Sequence, residues 1–419
     1  MKKLIATLML AFLVSALPAV NAAPLHDELR MRKITGLFEL IEERLSLMDE
    51  VAAYKFRNKL AIEDLDREAV VLDNAARSAL RYGFTPESSR FFFAIQIEAA
   101  KEIQRYWFQE WSADRPFPAD VPSLSEVVRP RLTRLGDAIV ENIAATYPIY
   151  DRSLASQFVR SVNVEGLSDG TKYTLFRALF EVERFPNLLD QVTGTGILRI
   201  GTTGDYAPFT YTSGTEFRPS GIDVDMADSL ARSLGVEIQW VRTSWPELMN
   251  DLLAGKFDIA MGGISRTLKR QRQALFSMPY HVGGKMPIGR CSDKARLTSL
   301  AQIDQPDIRV IVNPGGTNQK YVQEHIRQAK IRVFDDNRKI FDEILADRAD
   351  VMITDAVEVR LQTTRHPALC ALTSEPLTYQ DKAYLMPRDL IWQNYVNTWL
   401  EQEIASGRYT KRFEDGLQR

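Results

Sequence analysis

The chain has 419 residues, with 53 Lys and Arg against 55 Asp and Glu and a formal net charge of −2. A balance this even excludes nucleic acid and anionic membrane surfaces as partners drawn in by bulk charge. The length allows two or three domains, each large enough for a sizeable core.

Met1–Ala22 has Lys2 and Lys3, then the apolar run Leu4–Leu17, then Pro18 and the small-residue end Val20-Asn21-Ala22. This is the pattern of a secretory signal, too short for a span, with cleavage expected after Ala22 or Ala23. No later apolar run approaches the length of a spanning helix, and no cysteine stands at the cleavage site to carry a lipid. The expectation is a periplasmic or secreted protein with no membrane attachment after signal cleavage. In such a compartment Cys291 and Cys370, the two cysteines, can pair. Two isolated buried thiols are the alternative.

Residues 24–190 read as an all-helical domain. Strand signals are almost absent from Asp27 to Arg184, and Gly83-Phe84-Thr85-Pro86, Pro116–Pro122 and Gly166–Gly170 divide the helical pattern. One long helix is expected over Glu28–Lys59. On its wheel Leu37, Leu40, Ile41, Met48, Val51 and Lys55 fall within about 60° of Arg44, so two cations lie in an apolar stripe. A helix over Ser88–Trp111 repeats the oddity with an amide, Gln104, among Phe93, Ile97, Ala100, Phe108 and Trp111. Between them, Asp64-Leu65-Asp66-Arg67-Glu68 opens another helix, with carboxylates suited to its N-terminus. A buried cation without a counter-charge is costly. Either acidic side chains neutralise Arg44, Lys55 and Arg67 internally, or the bundle holds an anion.

Arg44, Lys55, Asp64, Arg67, Glu68 and Gln104 resemble, in type and spacing, the active-site set of the all-helical chorismate mutases. The runs Glu43-Arg44-Leu45, Val51-Ala52-Ala53-Tyr54-Lys55-Phe56-Arg57 and Ile62-Glu63-Asp64 are similar to the secreted subclass. There one chain supplies the whole site, and a later arginine, here Arg129 in Val128-Arg129-Pro130-Arg131-Leu132, completes it. Ala100 departs from the many members that carry a hydroxyl at that point. The resemblance implies that Arg44, Arg67 and Arg129 clamp the two carboxylates of chorismate. It further implies that Lys55 and Gln104 donate to the ether oxygen and that Glu68 accepts from the ring hydroxyl. For Asp64 and Glu68, plain helix capping is the competing role.

Residues 191–419 change character. Ile197–Thr203, Ile222–Leu234, Glu237–Val241, Trp245–Leu253 and Ile259–Met261 alternate strand and helix, which predicts a parallel sheet flanked by helices. Gly201-Thr202-Thr203-Gly204 lacks the third glycine and the spacing of a dinucleotide fingerprint. The chain is expected to leave a first lobe (about 197–286), build a second (about 287–371), and return through Lys382-Ala383-Tyr384-Leu385 to complete the first (372–419). Ligands of such open sheets bind at the carboxyl ends of the strands, in the cleft. The ordered runs Trp245-Pro246, Phe257–Gly263, Ser277–Tyr280 and Val312–Asn318 resemble the two-lobed periplasmic solute-binding fold for polar amino acids. The expected architecture is therefore multidomain: an all-α bundle followed by a type II α/β periplasmic-binding-protein fold.

In this half Arg270 matches the arginine that binds a ligand carboxylate in amino-acid-binding relatives, with a solvated face as the alternative. Gly315-Gly316-Thr317-Asn318 opens a helix whose free N–H groups suit an anion. Asp355 and Glu358 also read as a capping pair, and Lys285 follows Gly283-Gly284. Thr202–Tyr206, Thr243–Pro246, Gly284-Lys285, Asn313–Asn318 and Thr354–Glu358 are together similar to cyclohexadienyl dehydratase, an enzyme on the solute-binding fold. That resemblance implies loss of water and CO₂ from prephenate to give phenylpyruvate, or from L-arogenate to give phenylalanine. Glu358 would be the general acid and Arg270 would hold a carboxylate. Lys285, Asn313, Thr317, Asn318 and Asp355 would orient the substrate, with Asp205 and Trp245 lining the cleft.

In series the two halves make and consume one intermediate. Neither reaction requires a metal or cofactor, and His26, His281, His325 and His366 show no ligand spacing. An amino-acid receptor with a helical appendage is the rival reading, because Arg270 and Asp355 could clasp an α-amino acid. In a second rival the helical half serves only docking or dimerisation. Oligomeric state, homo-oligomer included, is left open.

Overall fold

The computed structural model describes residues 22–149, 151–213 and 216–418. The signal segment therefore lies outside the described residues up to Ala22, with which the first helix begins. Two compact units meet between Arg184 and Phe185. Among the described residues no helix is long and apolar enough to cross a membrane.

The first unit is a helical bundle. Its principal helices are Ala22–Ser46, Met48–Arg57, Leu65–Arg81, Pro86–Ser112 and Arg129–Thr146. Leu37, Phe38, Ile41, Leu45, Phe92, Ile103 and Ile139 form its core, and burying each such side chain contributes about 1.5–3 kcal/mol. Phe38 anchors the far end, edge-on to Phe158 at 5.0 Å and to Phe176 at 6.2 Å. The single helix expected over Glu28–Lys59 is broken at Leu47 (φ −69°, ψ −4°). Leu47 and Met48 are both buried. No Gly or Pro marks the break. Asp64 caps the third helix by accepting from the Arg67 N–H at 3.1 Å. A π-helical turn, Leu124–Val128, runs directly into the helix that starts at Arg129.

The second unit has two five-stranded sheets. In the first, the spatial order is Glu237–Arg242, Ile197–Thr202, Ile259–Ala260, Leu385–Met386, Leu275–Phe276. In the second it is Lys330–Val333, Arg309–Val312, Val351–Asp355, Lys285–Arg290, Leu369–Ala371. Ile197–Thr202 in the first sheet and Arg309–Val312 in the second pair parallel with both neighbours and are mostly buried, as their apolar runs require. The antiparallel pair His281–Gly283 and Gln380–Lys382 carries the chain between lobes. Lys285 and Met286, assigned from sequence to the first lobe, open the antiparallel strand of the second sheet. The crossing requires Gly284, because a Cβ there would lie 1.7 Å from the Thr378 carbonyl oxygen. The Gly284 carbonyl in turn accepts from the Ala356 N–H at 2.9 Å, seating the helix Ala356–Arg365 against the crossing. Cys291 and Cys370 are joined by a disulfide that closes the edge of the second sheet.

Candidate active sites

The bundle encloses a cavity of about 130 Å³ lined by Arg44, Lys55, Asp64, Arg67, Glu68, Gln104 and Arg129, with Met48, Val51, Val71, Phe93, Ile97 and Leu132 as its apolar wall. All seven polar residues singled out from sequence in this half thus face one space. Arg44 is 5% exposed; its Nη1 donates to Gln96 Oε1 at 3.3 Å, and its Nε is buried without a partner. Burial, and then the nearby Arg67, push its guanidinium down to about 10. Lys55 Nζ donates to the Ile62 carbonyl at 2.6 Å. Burial lowers its ammonium, while Asp64 and Glu68 oppose the shift. Gln104 donates to the Ala100 carbonyl at 3.0 Å and leaves its Oε1 buried and unpartnered. Arg67 is held below its ordinary value by burial and by the neighbouring Arg129.

Among the described residues Arg44, Lys55, Arg67 and Arg129 form no ion pair, although each lines the cavity. Arg131, the other arginine of that run, pairs outside this set with Glu50 at 3.4 Å. The bundle does contain a neutralised lysine, but it is Lys101, which the sequence reading passed over. Lys101 Nζ meets Glu68 at 2.9 Å, Glu98 at 3.0 Å and Glu63 at 3.4 Å. Burial would lower this ammonium, but the hydrogen bonds with Glu68 and Glu98 outweigh it and raise it. The capping reading of Glu68 holds: its Oε1 accepts the Asp64 N–H at 3.3 Å, while its other oxygen meets Lys101 and the residue lines the cavity. A helix-interior lysine three residues beyond Glu98 reads as a surface pair, so nothing in the sequence marked Lys101 as buried.

In the second unit the cleft between the lobes is closed to about 20 Å³, lined by Trp245, Arg270, Asn313, Thr317, Asn318 and Asp355 together with Tyr206, Ser265, Asn337 and Lys382. Asp355 sits between two ammonium groups, Lys285 at 2.7 Å and Lys382 at 2.5 Å, and Tyr206 Oη donates to it at 2.5 Å from the first lobe. Burial would raise the Asp355 carboxyl, but Lys285 and Lys382 overcome it and hold it well below the usual carboxylate range. Lys285 is fully buried, also donating to Thr317 Oγ1 at 2.9 Å and to Asn318 Oδ1. Burial pushes its ammonium down to about 8, against the pull of Asp355. Arg270 donates to the Ser265 carbonyl at 2.9 Å and, among the described residues, meets no carboxylate. It is half-buried and lines the cleft, and burial pushes its guanidinium down to about 10.

Glu358 is 3% exposed and burial pushes its carboxyl up to about 8. Neither Glu358 nor Lys285, both expected at the cleft, is among the residues lining this cavity; both are buried behind it, with Thr354 Oγ1 donating to Glu358 Oε2. Asp205 departs from expectation. It does not line the closed cleft but a neighbouring cavity of about 400 Å³, because its carboxylate turns to accept from Trp245 Nε1 at 3.1 Å. Its own carbonyl accepts from Asn337 Nδ2 at 3.0 Å across the lobes. Lys382, Tyr206 and Asn337 were missed from sequence. Each acts between lobes, through contacts that no local pattern encodes.

Residues 198–415 match the bacterial extracellular solute-binding proteins, family 3, and residues 35–105 match chorismate mutase type II. Over 231 residues the chain is 49% identical to cyclohexadienyl dehydratase of Pseudomonas aeruginosa, covering 55% of this chain and 86% of that one. Over 147 residues it is 31% identical to a secreted chorismate mutase of Yersinia pestis, covering 34% of this chain and 78% of the relative. This chain belongs to the family 3 solute-binding proteins, as a cyclohexadienyl dehydratase carrying a chorismate mutase domain. The solved structure of an ancestral amino acid-binding protein, a precursor of cyclohexadienyl dehydratase, superposes on this fusion with a TM-score of 0.51 at 32% identity. It covers 55% of this chain and 99% of that one.

Proposed function

We propose that the helical unit converts chorismate to prephenate and that the two-lobed unit converts prephenate, or L-arogenate, to phenylpyruvate or L-phenylalanine. The rearrangement breaks one C–O bond and forms one C–C bond in a single step, with no proton transferred. What the bundle supplies is orientation and charge complementarity. Arg44, Arg67 and Arg129 hold the two carboxylates in the folded conformer. Lys55 and the Gln104 amide donate to the ether oxygen as negative charge grows there, and Glu68, fixed by Lys101 and the Asp64 N–H, accepts from the ring hydroxyl. The observation supporting this reading is the set of four cations around one cavity without an ion pair among the described residues.

In the second site Glu358 gives its proton to the ring hydroxyl, which departs as water. The electrons that fill the ring come from the bond to the ring carboxylate, which leaves as CO₂. Arg270 holds the remaining side-chain carboxylate. Asn313, Asn318 and the N–H groups at Thr317 fix the ring substituents, Lys285 holds Asn318 and Thr317 in place with its three protons given to them and to Asp355, and closure excludes water. Asp355 supports this assignment over the receptor reading. Three of its roughly four acceptor positions are taken by Lys285, Lys382 and Tyr206, which leaves little of it for an α-ammonium group. Phenylpyruvate formation on adding prephenate tests the assignment; binding without turnover would return the receptor reading. The secreted relative and the solute-binding family support a periplasmic or secreted location.

A further inference from the structure

We propose that Thr354 is a positioning residue that fixes which oxygen of Glu358 carries the transferable proton. The proposal rests on the reading of Glu358 as general acid and follows from the direction of a hydrogen-bond chain. Lys285 Nζ has only protons to give, so the Asn318 atom facing it is Oδ1. The Asn318 amide nitrogen is thereby turned to Asn313 Oδ1 at 3.2 Å and to Thr354 Oγ1 at 3.1 Å. Thr354 Oγ1 receives that proton and has one of its own, which it gives to Glu358 Oε2. Thr354 is fully buried, so no water competes for its hydroxyl.

With Oε2 committed as an acceptor, a neutral Glu358 must carry its proton on Oε1, which accepts no hydrogen bond among the described residues. The acid proton is then not spent on an internal bond and is free for the leaving hydroxyl. The chain begins at a lysine fixed by Asp355, its cross-strand partner in the second sheet, so a salt bridge within the second lobe sets the polarity of the acid. The groups acting on Glu358 from the surrounding elements are Asp355, Asp205, Lys285 and Tyr206. None of them duplicates the Thr354 contact.

The test uses the full chain, with kcat and KM for prephenate dehydration followed from about pH 7 to about pH 10. Thr354→Val keeps the shape and removes the hydroxyl. We expect kcat near neutrality to fall about 10–100-fold with KM within about threefold. The Thr354 bond favours the charged form of Glu358, so its loss should move the alkaline limb of kcat upward. Thr354→Ser should restore both. Wild-type kcat and limb in Thr354→Val, with Glu358→Gln inactive, would overturn the inference and leave the acid assignment standing; activity in Glu358→Gln would remove both. A fall in kcat with an unmoved limb and a lower melting temperature would make Thr354 merely structural, which also overturns it. If Thr354→Val does not fold, Thr354→Ala makes the same comparison.

Discussion

The two cavities are both rich in cations, yet they treat them in opposite ways. In the bundle, Arg44, Lys55, Arg67 and Arg129 are left without ion pairs among the described residues, and the carboxylates of Asp64 and Glu68 serve the start of a helix. Between the lobes, Lys285 and Lys382 are tied to Asp355, while burial keeps a second carboxyl, Glu358, neutral near pH 7. The difference follows the chemistry. A rearrangement with no proton transfer needs fixed charge and no acid. A dehydration needs a proton donor, and a donor survives among cations only if it is desolvated behind them. A surplus of positive charge is common to both and suits dianionic substrates.

Glu358→Gln should break the comparison most severely. An amide cannot deliver a proton, so dehydration should fall about 10³-fold or more while the mutase rate stays unchanged in the same sample. Lys55→Ala should do the reverse, lowering chorismate turnover about 10²–10³-fold and sparing dehydration. Arg129→Leu should cost the mutase about 10–100-fold in kcat/KM. Arg131→Leu, which removes only a half-exposed pair with Glu50, should change it less than about threefold. The pH response should separate the sites again. Glu358 must be protonated to act and its carboxyl is raised to about 8, so dehydration should decline as pH rises through that value. The mutase profile should lack this limb. Reduction of Cys291–Cys370 should move activity least, within about twofold. With the cysteines 79 positions apart in sequence, it should nevertheless destabilise the second unit by about 4 kcal/mol in the chain-entropy treatment. Two-transition calorimetry should show the helical unit's melt unmoved.

Arg44, Lys55 and Gln104 were legible because helical periodicity places them inside apolar stripes, where a polar head demands a reason. Arg270, Asn313 and Asn318 came from motif resemblance, and the structure brings them to one cavity. What local pattern could not supply is pairing across the lobes. Lys382 reads as one more residue of a returning strand, and only closure sets it 2.5 Å from Asp355 of the second lobe; within its own lobe it lies 5.1 Å from the Tyr206 ring centroid. Asp205 escaped for another reason: its carboxylate accepts from Trp245 of the same lobe, a contact that no local spacing specifies. The break at Leu47 was invisible for a different reason: no helix-breaking residue marks it.

The account's central claim is that two independent sites on one chain act in series. It is tested most directly by mixing Lys55→Ala and Glu358→Gln proteins, each unable to carry chorismate to phenylpyruvate alone. The prediction is that the mixture forms phenylpyruvate from chorismate, with prephenate released by one protein and consumed by the other. Chorismate left unconsumed by the Glu358→Gln protein, or prephenate accumulating unchanged in the mixture, would contradict it.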